Sequence, residues 1–239
     1  MRLQRQPTKA ELTESITADR NDDFLGDLRF RALLSEADWR RLTPVVRGRF
    51  SRRLAAGETT VYVGAVRHAK LSPLGRLFTQ AARLVGAPLP TSADEALPVI
   101  VGVTEDGASG GQIWTLIYAR RSGFPQVIHS AKNFSGPTGL EECLRFGIRI
   151  ALTVAVEDGA LVFRSGDYFW RAGRFAVRLP RWLTPGALTV KHIDLDGERF
   201  MFTLSLVHPR AGVLIEQSVV FHEATSSRRP MEGAGLRCA

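Results

Sequence analysis

The chain reads as an α+β domain, mostly antiparallel β. The expected form is a strongly curved sheet or open barrel, with N-terminal helices and one amphipathic helix (about 72–86) packed against it. Three observations predict this. From about Pro98 onward, apolar and polar residues alternate with the period of two that marks a half-buried strand. The clearest case is Arg199–His222, where Phe200, Phe202, Leu204 and Leu206 face one way and Met201, Thr203, Ser205 and Val207 the other. Asp158-Gly159 and Asp196-Gly197 are two-residue hairpin signals between such runs. Only one long segment, Ser72–Gly86, has a clear helical stripe and both end signals.

Taken in order, residues 1–23 are polar, lack periodicity and are expected to be a disordered arm. Residues 24–223 are expected to form a single globular domain, and 224–239 a disordered tail. Leu28, Leu33, Leu34, Trp39 and Leu42 fall at rough helical spacing. Ser35 suits the cap of a short helix over 36–42, and Pro44 begins another turn through Val45, Val46 and Phe50. A strand follows over 59–70, with Val61, Val63 and Ala65 on one face. In the helix after it, Ser72 is the N-cap and Pro73 fits the first position. Leu74, Leu77, Phe78, Ala81 and Val85 form the stripe expected to pack on the sheet, opposite Arg76, Gln80 and Arg83. Gly86 suits the left-handed C′ position, and Pro88 stops continuation.

Strands are expected at 98–105, 112–121, 126–134, 142–157, 160–169, 173–179, 187–195, 198–207 and 213–222. At the first hairpin, pairing Glu157 with Ala160 sets Val156 against Leu161 and Val154 against Phe163. At the second, a two-residue turn sets Phe202 beside Lys191, so either Lys191 snorkels or the turn is longer. Along 142–157, Phe146, Ile148, Ile150, Leu152, Val154 and Val156 form a core face. Arg145, Gly147, Arg149, Ala151, Thr153 and Ala155 form a small, basic face that meets water or lines a concavity.

The 239 residues are 44% hydrophobic, enough for a core, and carry a net charge of +8 with arginines spread along the chain. That charge fits an anionic partner, nucleic acid or a membrane face, and equally an Arg-rich surface. Cys143 and Cys238 make neither a disulfide framework nor a zinc spacing, which suits a reducing, cytoplasmic setting. The start has no apolar stretch of a secretory signal, and no run is long enough for a transmembrane segment. A soluble or at most peripheral protein is expected.

No dinucleotide, phosphate-loop, nucleophile-elbow or zincin motif occurs, and no metal or cofactor is implied. His192 and Asp194 share a strand face and suit an acid–base pair or a surface pair. Glu141 and Glu142 are adjacent, so they point to opposite faces. Ser130 and Lys132 share a face, as a nucleophile and its base do, and as solvated residues also do. The stretch 168–182 interleaves aromatics with arginines. Trp170, Arg171, Arg174, Arg178, Arg181 and Trp182 are candidates for contact with bases or an anionic membrane surface. As a plain strand, it would instead turn Phe175, Val177 and Leu179 inward.

The segments RRSGFPQVIHSAKNFSGPTGLEE, FGIRIALTVAVEDGALVF, LPRWLTPG and RFMFTLSLVHPRAGVLIEQSVVF, preceded by LSPLGRLFTQAARLVGAPLP, in this order resemble the bacterial family called domain of unknown function 4166. The resemblance covers roughly 28–223. The family has no established activity, so it implies no catalytic residue. Among the matching positions, Gly136, Gly139, Gly212, Pro180 and Pro209 suit turns and strand ends. Trp114, Ser130, Glu142, His208 and Gln217 remain as ligand-binding candidates.

The expected function is a non-enzymatic module that binds an apolar or amphipathic, lipid-like ligand in the concavity of the sheet. Two alternatives stand beside it. One is an enzyme using Glu142, His192, Asp194 or His208 as acid–base groups. The other is an interaction domain for protein, nucleic acid or membrane through 168–182.

Overall fold

A computed structural model describes residues 27–54, 58–84, 86–87 and 89–224. The expected arm, the tail from 225 onward, Val85 and Pro88 lie outside the described residues. Ala224, expected in the tail, still donates from its backbone N–H to Val61 at 2.9 Å.

Two short helices come first, α1 (Glu36–Arg41) and α2 (Pro44–Phe50). Their starts follow from chemistry: Ser35 accepts from the Asp38 N–H, Thr43 accepts from the Val46 N–H, and Pro44 needs no donor in the first turn. The long helix α3 (Pro73–Leu84) begins as expected, with the Ser72 hydroxyl accepting from Gly75 N at 3.0 Å. It ends in a Schellman turn: Gly86 has φ +69°, its N–H meets Arg83 O at 3.1 Å, and Ala87 N meets Ala82 O at 3.0 Å.

Eleven strands complete the fold: β1 (Thr59–Leu71), β2 (Pro98–Asp106), β3 (Gly111–Tyr118), β4 (Gln126–Asn133), β5 (Glu141–Cys143), β6 (Ile148–Glu157), β7 (Ala160–Ala172), β8 (Phe175–Arg178), β9 (Ala187–Asp194), β10 (Arg199–His208) and β11 (Gly212–Glu223). All pairings are antiparallel. The order β6-β5-β4-β3-β2-β1-β11-β10-β9-β7 returns to β6, so ten strands close a barrel and β8 extends β7 outside the ring.

The first hairpin has the predicted register, Glu157 to Ala160 and Val154 to Phe163. The second turn is the longer alternative. Phe200 pairs with Asp194 and Phe202 with His192, which keeps Lys191 off the aromatic face. The expected strand 142–157 is interrupted. Phe146 has φ +59° in a 3₁₀ turn over 145–147 and is exposed, so β5 and β6 are separate strands. In β1 the buried side is Tyr62 and Val66, not Val61, Val63 and Ala65. A bulge after Val66 then turns Ala69 and Leu71 inward.

The strands define two ends. At the lower end, Phe30, Trp39, Leu42, Val46 and Phe50 from the N-terminal segment plug the barrel against Leu140, Val156, Leu161 and Phe163. At the upper end, α3 crosses from the end of β1 and packs through Ala82 and Phe78 on Leu71, Leu206, Leu214 and Ile215.

The helix is rotated from its expected stripe, of which Phe78 and Ala81 reach the barrel's cavity but Leu74 and Leu77 do not. Gly75, Thr79 and Ala82 are its buried residues, while Leu74, Leu77 and Leu84 are exposed. The cause is close approach: a Cβ on Gly75 would sit 2.1 Å from Leu214 O, so the small side of the helix is the one that fits.

Candidate ligand cavity

Between the plug and α3 lies a cavity of about 370 Å³, within the usual range for small-molecule sites. Its wall comes from nearly every strand. β6 contributes Ile148, Ile150 and Leu152, β10 contributes Phe202, Leu204 and Leu206, and β11 contributes Gln217, Val219 and Phe221. Phe78 and Ala81 of α3, with Leu179 and Leu183, stand at its upper side. The concave face of 148–157 is therefore the large apolar one. The small, basic face, one of the two expected linings, looks outward, with Thr153 exposed. The reason is steric: ten strands leave more room than small residues fill.

One part of the wall is polar. Lys132 on β4 pairs with Glu142 on β5 at the same rung. Its Nζ stands 3.2 Å from Glu142 Oε2, donates to Ser130 Oγ at 2.6 Å and lies 4.7 Å from the Trp114 ring centroid. Glu142 is 5% exposed, and its Oε1 has no hydrogen-bond partner among the described residues. Farther along the wall, Tyr118 Oη donates to Gln217 Oε1 at 3.0 Å, and burial pushes the Tyr118 phenol well above its ordinary pKa. Tyr168, also on the wall, is pushed up to about 12 by burial.

Four of the five ligand-binding candidates, Trp114, Ser130, Glu142 and Gln217, line this one cavity. His208 does not. It sits at the upper β10–β11 turn, where its Nδ1 accepts from the N–H groups of Arg210 and Ala211 at 3.2 Å. Tyr118 and the apolar lining were not singled out from sequence, and Lys132 was named only beside Ser130, not as the partner of Glu142. The signal for Lys132 was its shared face with Ser130. Its partner was hidden because 142–157 read as one strand, leaving no β5 to lie beside β4.

The acid–base alternatives are dispersed. His192 is 0% exposed and stacks on Phe200 at 4.7 Å, with Arg49 Nη1 3.2 Å from its Nε2. Burial and then the Arg49 charge lower its pKa to about 3. Asp194 is engaged with other partners, accepting from Thr43 Oγ1 at 3.1 Å and Gly197 N at 3.1 Å. Since Phe202 pairs with His192, His208 lies six residues farther along β10, roughly 20 Å away. Glu141 faces away from Glu142, as expected of neighbours on a strand. It is buried rather than solvated, accepting from Ser135 Oγ at 3.1 Å, with Arg171 at 3.5 Å. Ser130 and Lys132 touch, with Lys132 Nζ donating to Ser130 Oγ at 2.6 Å. Among the described residues, no group of histidine, cysteine and carboxylates has metal-binding geometry.

The stretch 168–182 forms the end of β7, β8 and a 3₁₀ turn over 181–183. The plain-strand reading is corrected in part. Leu179 lines the cavity, but Phe175 and Val177 are exposed, because β8 lies outside the closed ring and has no interior to face. Trp170 and Trp182 are exposed; the Trp170 indole donates to Phe146 O at 3.0 Å. Arg178 pairs with Asp167 at 2.6 Å.

A family model described as "Domain of unknown function (DUF4166)" matches residues 42–221. The chain belongs to the DUF4166 family. No curated protein matches it. The matched span of this DUF4166 domain begins at α2 and takes in all eleven strands, the cavity and α3. No helix among the described residues is long and apolar enough to cross a membrane.

Proposed function

We propose that this DUF4166 domain is a non-enzymatic barrel that holds an amphipathic, lipid-like molecule in its cavity. The observation that carries the reading is a largely apolar wall with two polar features, the self-satisfied Tyr118–Gln217 pair and the Lys132–Glu142–Ser130 cluster, in which one buried Glu142 oxygen is left unpartnered. A wholly apolar cavity would ask only for a hydrocarbon. A buried carboxylate oxygen without a donor is costly, by about 1–3 kcal/mol or more. A ligand hydroxyl or amide N–H directed at Glu142 Oε1 would remove that cost while the alkyl or ring portion covers Phe202, Leu204 and Val219. The chemical class is therefore an apolar body with a small hydrogen-bond-donating head. Burial raises the pKa of the Cys143 thiol, which leaves it in the neutral, unreactive form and suits a reducing cytosol, where we place the protein.

Two measurements test the reading. Native mass spectrometry of gently purified protein should show an added mass that denaturation releases. The apolar fluorophore N-phenyl-1-naphthylamine should bind, and Val219→Trp, which extends a ring into the cavity, should weaken it at least about tenfold by displacing buried apolar contact. An apo mass together with no fluorophore uptake would sink the proposal.

A further inference from the structure

The exposed apolar side chains are concentrated at the upper end of the barrel, around the mouth of the cavity. Leu74, Leu77 and Leu84 stand on the outer side of α3, Leu77 at 68% exposure. Phe124 at 91% tips the β3–β4 loop, Phe146 tips the turn before β6, and Trp182 at 77% and Leu183 tip the turn before β9. These segments adjoin. Arg83, Gly86, Phe124, Leu144 and Arg145 line one shallow groove, and Leu183 and Leu144 both reach the cavity. The lower end has far less: Leu28, Val45 and Leu195 are its large exposed hydrophobics among the described residues.

Charge follows the same division. At the upper end, residues 72–87, 119–126, 144–148, 171–187 and 207–213 contain ten arginines and no aspartate or glutamate, and the remaining connection there, 89–97, adds only Asp94 and Glu95, the latter beside His68 at 3.1 Å. Arg76, Arg145, Arg174 and Arg181 are exposed and form no ion pair among the described residues. Aliphatic tips do not stack on bases, so nucleic acid would leave the leucines in water. A lipid surface takes both parts, with aliphatic and aromatic side chains entering the interface and arginines meeting anionic headgroups.

We propose that this upper rim docks on an anionic bilayer, so that the cavity opens onto the membrane that supplies or receives its ligand. The purpose of docking rests on the ligand-barrel reading; the docking itself is tested apart from it. The full chain is sedimented with vesicles of phosphatidylcholine alone and with about 30% phosphatidylglycerol, at low and high salt, alongside a single-stranded oligonucleotide binding assay. The expected result is binding to the anionic vesicles, weakened by salt, with a blue shift of tryptophan emission as Trp182 and Trp170 leave water.

Leu77→Ser with Trp182→Ser, and separately Arg174→Ser with Arg181→Ser, should each weaken vesicle binding at least about tenfold. Leu28→Ser with Leu195→Ser, at the lower end, should leave it unchanged. No binding to either vesicle, equal binding to both, rim variants that bind like the parent, or binding to the oligonucleotide alone would overturn the docking. Uptake of N-phenyl-1-naphthylamine without vesicles is the separate readout. Uptake with no vesicle binding removes the docking and keeps the ligand reading; vesicle binding with no uptake does the reverse.

Discussion

Acidification should destabilise this domain through one histidine. His192 is enclosed by Phe50, Phe200 and Phe202, has no exposure and lies beside the Arg49 guanidinium. Its folded pKa is about 3, against 6.5 for a free histidine. The folded state refuses a proton that the unfolded chain accepts, so stability is full above pH 6.5 and falls as pH drops toward 3. Between pH 7 and pH 5 the loss from this group alone is about 2 kcal/mol. Glu36, Asp106, Glu157 and Asp196 have lowered pKa values, so their contributions disappear only below the ordinary carboxylate range, outside this window.

The assay is urea denaturation at pH 7, 6 and 5 for the parent and His192→Gln. Glutamine can still accept from Arg49 but does not titrate here. It should cost about 1–2 kcal/mol at pH 7 through lost ring contacts, and show a markedly flatter pH profile. If parent and variant fall in parallel between pH 7 and 5, His192 takes its proton in the folded state and the argument fails.

The remaining predictions concern the cavity wall and its roof. Lys132→Met leaves Glu142 buried without its cation and should cost about 3–5 kcal/mol by denaturant titration, whereas Lys132→Met with Glu142→Leu should recover most of that. Gly75→Val drives a side chain into Leu214 O and should displace α3, seen as a loss of about 1–3 kcal/mol and faster hydrogen exchange over 73–84. Tyr118→Phe removes the donor to the buried Gln217 and should cost about 1–3 kcal/mol, with little effect on uptake of a purely apolar fluorophore.

The parts of the fold that were legible in the sequence are those set by neighbours in the chain. The Asp158-Gly159 turn fixed the β6–β7 register because both its residues take positive φ and the flanking apolar residues alternate in phase. Ser72, Pro73 and Gly86 set the ends of α3 through local capping. Which side of α3 is buried depended instead on a backbone contact with β11, remote in sequence, that only small residues tolerate. Phe146 broke the long expected strand against its apolar character because the chain turns there. Trp114, Ser130, Glu142 and Gln217 were named singly, and closure of the ring brought them to one wall. The Lys132–Glu142 pairing depended on the break at Phe146, which makes β5 a separate strand beside β4, and was not visible beforehand.

The three-residue strand β5 has a mechanical consequence. Every other strand of the ring has at least eight residues, but between β4 and β6 the wall runs through Glu141, Glu142 and Cys143, with three residue pairs on each side and flanking backbone bonds from Leu140 and Leu144 to β6 only. Parting the barrel there breaks the fewest ladder hydrogen bonds, so local opening is cheapest at this seam. Glu142 sits on it and faces inward. A molecule too bulky for the upper opening would find the seam a side door, with the cavity's polar cluster at its threshold.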